Sequence, residues 1–402
     1  MSALLIRSAR QLITLRGPGG PRRGTALNQL GIIEDGSLLI LDGIIREVGP
    51  TRRIENLALA RNAREIVAAG RVVMPAFVDS HTHLISGPPQ VHGADPDLAV
   101  RAVRDSSTRR LKEDAEKLLR AFAAHGSATV EAKSGYGVNE SGEMKILRAI
   151  SGLRSPVDVV PTLLAPMPAG AERGHATWLA ERLLPLAHSR GLARFADARC
   201  DARGLDEAAC RAFLENARRL GVSVKLSLSE HGRTAAASLA VELGATSVDH
   251  LEYADALDIA TLGGANVIAT LTPASALYAG PSARLAPARS LIDAGAAIAL
   301  ASNFDRVACP ALNMQLIIFL ACRTMGLTPA EAVSAATING AHALSLARRI
   351  GSLEAGKQAD IIVLDIPDYR ELACHFGLNL VAMTIKRGEI VYRSAEAQWS
   401  GV

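Results

Sequence analysis

From Val72 onward the chain alternates short apolar runs with amphipathic stretches. Eight runs read as buried strands: VVMPAFVD (72–79), SATVEAK (127–133), VDVVPTLL (157–164), ARFADA (193–198), VSVKLSL (222–228), TSVDHL (246–251), ANVIATL (265–271) and AAIALA (296–301). Between them, DSSTRRLKEDAEKLLRAFAAHG and LDEAACRAFLENARRLG carry apolar residues at three- and four-residue spacing and end on glycine. That is the pattern of an amphipathic helix with a C-terminal stop. Eight strand–helix units are what a closed (β/α)8 barrel requires, whereas the competing doubly wound sheet seldom needs so many similar ones. The predicted fold class is α/β, a (β/α)8 TIM-like barrel over 72–347.

The two ends have a different texture. Residues 1–71 hold LLIRSARQLITL, the loop RGPGGPRRG, and LLILDGIIREVG, whose Asp42-Gly43 pair predicts a hairpin turn. Residues 348–402 return to strand character in GSLEAGKQADIIVLD and VAMTIKRGEIVY. Two strand-rich ends flanking a barrel predict one small β-sandwich domain built from both.

Composition narrows the partners. The chain has 402 residues, 49% of them hydrophobic, enough for one barrel-sized core and a smaller one. Aromatic content of 3% and a net charge of +4 without a lysine-rich tail argue against nucleic acid. The five cysteines form no CxxC pair, which fits a reducing compartment and no disulfide framework. No apolar run is long enough to span a membrane, and the N-terminus does not read as a signal peptide. The expectation is a cytoplasmic protein with a small-molecule substrate, no membrane or nucleic-acid partner, and a homodimer as the default assembly.

Candidate chemistry sits at strand ends, where such a barrel keeps its active site. His81 and His83 project the same way from an extended chain, and imidazoles at that spacing suit zinc or iron; a hydrogen-bonded polar pair without metal is the alternative. His250 in VDHLEY could polarise a carbonyl or shuttle a proton, and Glu230 in LSLSEHG could act as general acid/base, with His231 beside it. Lys133 and Tyr136 in EAKSGYG could bind an anionic substrate group, and the glycines there let a ligand approach the backbone. Each of these residues also has a structural reading as an ordinary turn, surface or packing position. Cys309 is a candidate nucleophile or, more simply, a small buried side chain.

The segments VMPAFVDSHTHLI, EAKSGYG, GATSVDHLEY, LTPAEAVSAATINGAHAL and GSLEAGKQADIIVLD together resemble the amidohydrolase superfamily, and within it the imidazolonepropionases. The resemblance covers essentially the whole chain. It implies a (β/α)8 barrel with a β-sandwich from both ends, hydrolysis of a non-peptide ring C–N bond, and one zinc or iron. The family ligands are the HxH pair, a histidine ending strand five and an aspartate ending strand eight. The first two correspond to His81 and His83. The third falls in a KIHA pattern that here reads KLSL, with Ser227, and the fourth in a TDFNP pattern that here reads SNFDR, with Asn303. Glu230 matches the family's acid/base glutamate and His250 its catalytic histidine. The substrate loop after strand three reads APM where the family has GAH. The stretch after HTHL also lacks the family's long glycine-rich segment with its arginine and tyrosine.

Serine is a poor neutral ligand, and asparagine brings no charge and no base for metal-bound water. No tightly bound catalytic metal is therefore expected, with Asn303 assigned to the substrate instead. A relocated site of His81 and His83 with Asp305 or His231 would restore zinc or iron. Three readings follow: an acid/base hydrolase, lyase or isomerase acting on a small cyclic amide or imidazolone-like acid; a metal-dependent ring hydrolase with the relocated site; and a catalytically inactive binding or interaction protein.

Overall fold

The computed structural model describes residues 2–89, 96–166, 174–201, 205–228 and 236–395. Eight parallel strands follow one another around a barrel in chain order. They are β1 (Phe77–Asp79), β2 (Ser127–Lys133), β3 (Asp158–Leu164), β4 (Phe195–Arg199), β5 (Ser223–Ser227), β6 (Ser247–Asp249), β7 (Ile268–Leu271) and β8 (Ala297–Leu300). Within β5, Val224 and Leu226 face the apolar layer beneath the helices, while Lys225 and Ser227 make their polar contacts with residues of other strands. This is the period-two alternation of a strand.

The seam is different from the other junctions. Among the described residues β8 and β1 share no main-chain ladder. The Ser302 amide instead donates to Asp79 Oδ1 at 3.0 Å. Just beyond, Thr82–His83 and Phe304–Asp305 form a short parallel ladder that pairs Asp305 with His83.

The helices are placed by their caps and apolar stripes. Ser107 caps the helix Thr108–Ala124, accepting from the Arg110 amide, and the helix buries Leu111, Leu119 and Phe122 in a cluster with Val130 and Ala132 of β2. Asp206 caps Glu207–Arg219, which buries Cys210, Phe213 and Leu214. Gly340 opens the helix Gly340–Ala343, and a Cβ there would lie 2.6 Å from the Val78 carbonyl oxygen. Only a glycine lets that helix approach β1 so closely.

Both chain ends enter one eight-strand, mostly antiparallel sheet. Ala3–Ile13 pairs antiparallel with Ile32–Leu41 and parallel with Arg64–Val67 and Val72–Pro75, which continues into Ile361–Leu364, Val381–Lys386 and Glu389–Arg393. Leu4, Ile6, Leu38, Ile45, Val363 and Met383 share its separate core. Asp42 and Gly43 both have positive φ, +47° and +78°, at the predicted hairpin turn. One expected element is divided: the run 72–79 gives Val72–Pro75 to this sheet and only Phe77–Asp79 to the barrel. Apolar continuity marks burial and does not say in which sheet. Lys386 of the terminal sheet docks on the barrel, its ammonium 2.8 Å from Asp158 Oδ2 of β3 and 2.7 Å from Asp360 Oδ2.

Candidate active site at the barrel mouth

Inward positions of four strands, β2, β4, β5 and β6, build a buried charge network. Lys133 Nζ lies 2.5 Å from Asp197 Oδ2, 3.2 Å from Asp249 Oδ2 and 3.4 Å from Glu131 Oε2. Lys225 Nζ lies 2.8 Å from Glu131 Oε2 and donates to the Ser80 carbonyl. Ser227 Oγ donates to Asp197 Oδ2 at 3.1 Å. Burial works against the Lys133 ammonium, but Asp197, Glu131 and Asp249 outweigh it and raise its pKa, so it stays charged. Burial likewise pushes against the Asp249 carboxylate, and Lys133 and Lys225 hold it well below the usual range. Asp79, at the seam, goes the other way: burial lifts it to about 7 against the Ser302 hydrogen bonds.

His81 joins this network to the mouth. Burial and then Lys133 depress its pKa well below the ordinary imidazole value, so the ring is neutral. In that state Nδ1–H donates to Asp249 Oδ2 at 2.7 Å. Nε2 is then a buried lone pair with no hydrogen-bond partner. His250 packs edge-on against this ring at 4.9 Å between centroids, His83 lies at 5.5 Å, and Tyr136 lies 6.2 Å beyond His83. The Tyr136 hydroxyl donates to Asp305 Oδ2 at 2.7 Å. His250 and Asn303 both have positive φ, +62° and +50°, a conformation uncommon outside glycine that collects at functional sites.

The structure thus brings His81, His83, His250, Tyr136 and Asp305 to one rim. Lys133 is fully buried beneath them, with its ammonium on the barrel's own carboxylates. Asn303 is 5% exposed and donates from Nδ2 to Ser275 Oγ at 2.9 Å. Cys309 is buried, its thiol directed at the Ser302 carbonyl. Glu230, His231 and Met167 of the APM loop lie outside the described residues.

Two donor sets bear on a metal. Ligand atoms of His81, Glu131 and Asp249 lie within 4.8 Å of one another, and one imidazole with two carboxylates is chemically able to hold zinc or iron. The Lys133 ammonium already contacts both carboxylates of that triad. The family seat is half present. The His81 lone pair, with its ring oriented by Asp249, has the arrangement of a metal-binding imidazole. Ser227 and Asn303, at the other two positions, are neutral and hydrogen-bonded elsewhere. Asp305 has both oxygens engaged, Oδ2 by Tyr136 and Oδ1 by the Val307 and Ala308 amides. Among the described residues this donor set does not fit a tight four-ligand site.

Reading the sequence by strand ends missed Glu131, Asp197 and Lys225. Each stands two residues before a terminal polar position or alone inside an apolar strand. A charge at an inward-parity position was the available signal.

Comparison with known proteins follows the same outline. The amidohydrolase family profile matches residues 72–391. An imidazolonepropionase from Geobacillus sp. (strain WCH70) is 36% identical over 421 residues, covering 98% of this chain and 99% of the relative. One from Symbiobacterium thermophilum is 37% identical over 416 residues, covering 96% and 97%. Among solved structures, E. coli guanine deaminase superposes with a TM-score of 0.74 at 16% identity, covering 98% of this chain and all of that one. A zinc-bound adenosine deaminase from Xanthomonas campestris gives 0.69 at 18%, covering 97% and 92%. At such identities these two speak for the fold.

Proposed function

The chain belongs to the amidohydrolase family, and from that premise we propose that it hydrolyses a ring C–N bond of a small cyclic amide or imidazolone-like carboxylic acid by acid/base chemistry, without a tightly held metal. The observation that carries this reading is the pairing of Ser227 with Asp197 and of Asn303 with Ser275, together with the full engagement of Asp305. The two absent ligands are not resupplied by a neighbour among the described residues. The network also holds its own cations, Lys133 and Lys225, among Glu131, Asp197 and Asp249.

In this reading water adds to the ring carbonyl carbon, the C–N bond breaks, and the nitrogen leaves with a proton. Glu230 takes the proton from water and returns it to nitrogen. His250, beside His81, donates to the developing oxyanion, and Asn303 and Tyr136 orient the ring. His81 stays neutral and, through Asp249, fixed in orientation.

One observation favours a second reading, a metal-dependent hydrolase: the buried His81 Nε2 lone pair, oriented as a metal ligand would be. The two are separated by elemental analysis of protein purified without chelator, with turnover of a panel of imidazolone and cyclic-amide acids before and after chelation. Substoichiometric metal and chelator-resistant turnover support the acid/base reading. Stoichiometric zinc or iron, with activity lost on chelation and restored by metal, overturns it. Failure of any compound to turn over, with Glu230→Gln indistinguishable from the parent in binding, leaves the inactive binding protein.

A further inference from the structure

We propose that Asp305 fixes the Tyr136 phenol as a hydrogen-bond acceptor at the mouth, so that the substrate ring must present an N–H there; this deepens the ring-hydrolase reading above and rests on it for the substrate. The Tyr136 hydroxyl gives its proton to Asp305 Oδ2 at 2.7 Å. A carboxylate only accepts hydrogen bonds, so the direction of this one is set. The other oxygen of Asp305 is taken by the Val307 and Ala308 amides, at 2.7 and 3.2 Å. A hydroxyl donates once and otherwise accepts. With the proton committed to Asp305, a ligand that reaches the half-buried Tyr136 meets lone pairs and has to donate. Cyclic amides and imidazolones carry such an N–H, whereas lactones and other ring-oxygen analogues lack it.

Both partners are held from behind. The loop that carries Tyr136 closes over the buried Glu143 carboxylate, which accepts from the amides of Gly135 at 2.9 Å, Gly137 at 2.6 Å and Val138 at 3.0 Å. Gly137 lies so close to the helix Glu140–Ser151 that a Cβ on it would stand 2.2 Å from the Glu143 nitrogen. Glu143 thus fills the place that a ligand anion would take among these amides. Asp305 is held by its seam pairing with His83 and by a two-way main-chain bridge to Cys309. The His83 ring stands edge-on to Tyr136, which puts the phenol on the rim that carries His81 and His250. The family pattern TDFNP has asparagine at this position where this chain reads SNFDR, so the carboxylate is a departure of this chain. Asp305→Asn would reverse the polarity. Its one carbonyl oxygen would serve the two amides, and its NH2 would turn to Tyr136. The phenol would then accept from residue 305 and donate to the ligand.

The test reads the phenol directly and then its ligand, on the full chain. The tyrosine Fermi doublet in ultraviolet resonance Raman spectra distinguishes a donating phenol from an accepting one. Subtracting the Tyr136→Phe spectrum isolates Tyr136 among the five tyrosines. A donor signature is expected in the parent and an acceptor signature in Asp305→Asn. Calorimetry then compares pyroglutamate and hydantoin-5-propionate, each against the isostere with oxygen in place of the ring N–H beside the substituted carbon. The parent should prefer each N–H ring by roughly five- to tenfold, the effect of one hydrogen bond. Asp305→Asn should erase or invert that preference. Tyr136→Phe, which leaves Asp305 in place, should erase it. An accepting phenol in the parent, or a signature unmoved in Asp305→Asn, overturns the proposal. So does equal binding of N–H rings and isosteres by the parent, or binding of none of the four. An Asp305-dependent preference for N–H rings without turnover of any ring compound would instead sink the hydrolase reading and keep the acceptor.

Discussion

In the proposed reading Ser227 and Asn303 are where this mouth departs from the family pattern, and each is held in a way that suggests its own reversal. Ser227 donates to Asp197, so a histidine there could keep that carboxylate as the partner of one ring nitrogen and aim the other at the mouth. Asn303 sits at φ +50°, which aspartate also tolerates. The double substitution Ser227→His with Asn303→Asp is expected to retain zinc through dialysis at close to one per chain, where the parent retains substantially less. Equal retention by both, measured by elemental analysis, would refute the assignment of these two positions. Both were legible in the sequence because a family pattern told where to look. Glu131, Asp197 and Lys225 carried only a weaker signal, a charge at an inward-parity position, and their roles became readable only with their cross-barrel partners.

At the scale of elements, the strand–helix alternation located every barrel strand, because burial on both faces leaves long apolar runs. It misassigned only the first, whose apolar run serves two sheets in succession. The contact between those sheets joins an apolar layer, in which Val72, Met74, Ile362 and Val381 share the barrel's cluster, with ion pairs at its edge. Burial opposes the charge of Asp158, but Lys386 and Arg387 overcome it and lower its pKa. A depressed carboxyl stabilises the fold above its unfolded value of 3.8, and that contribution disappears as pH falls through the lower folded value. Asp158→Asn should therefore cost about 1–2 kcal/mol near neutral pH, a figure reduced by the partial exposure of Asp158. The gap from the parent should close as pH drops below 3.8. Denaturant titrations at pH 7 and pH 3 check this; a gap that widens in acid would contradict it.

Across the whole molecule, the terminal sheet and the barrel are joined by chain as well as by charge. Val72–Pro75 runs straight into Phe77–Asp79, and Ala3–Ile13 lies in the sheet beside strands from the other end of the chain. Calorimetry is expected to record one unfolding transition, and two resolved peaks would show that the sheet melts alone. The two-ended sheet was readable from texture, whereas the seam was not, since it depends on one amide meeting one carboxylate. That seam also says something about how such a molecule can change. A barrel closed between its last and first strands by Asp79 and Ser302, with a two-rung ladder beyond, commits few main-chain bonds to the segment that carries Asn303 and Asp305. Side-chain replacements at those two positions break no rung of the barrel. The closing strand is therefore the place where this lineage could rewrite its chemistry by single steps, each intermediate still folded and each open to selection.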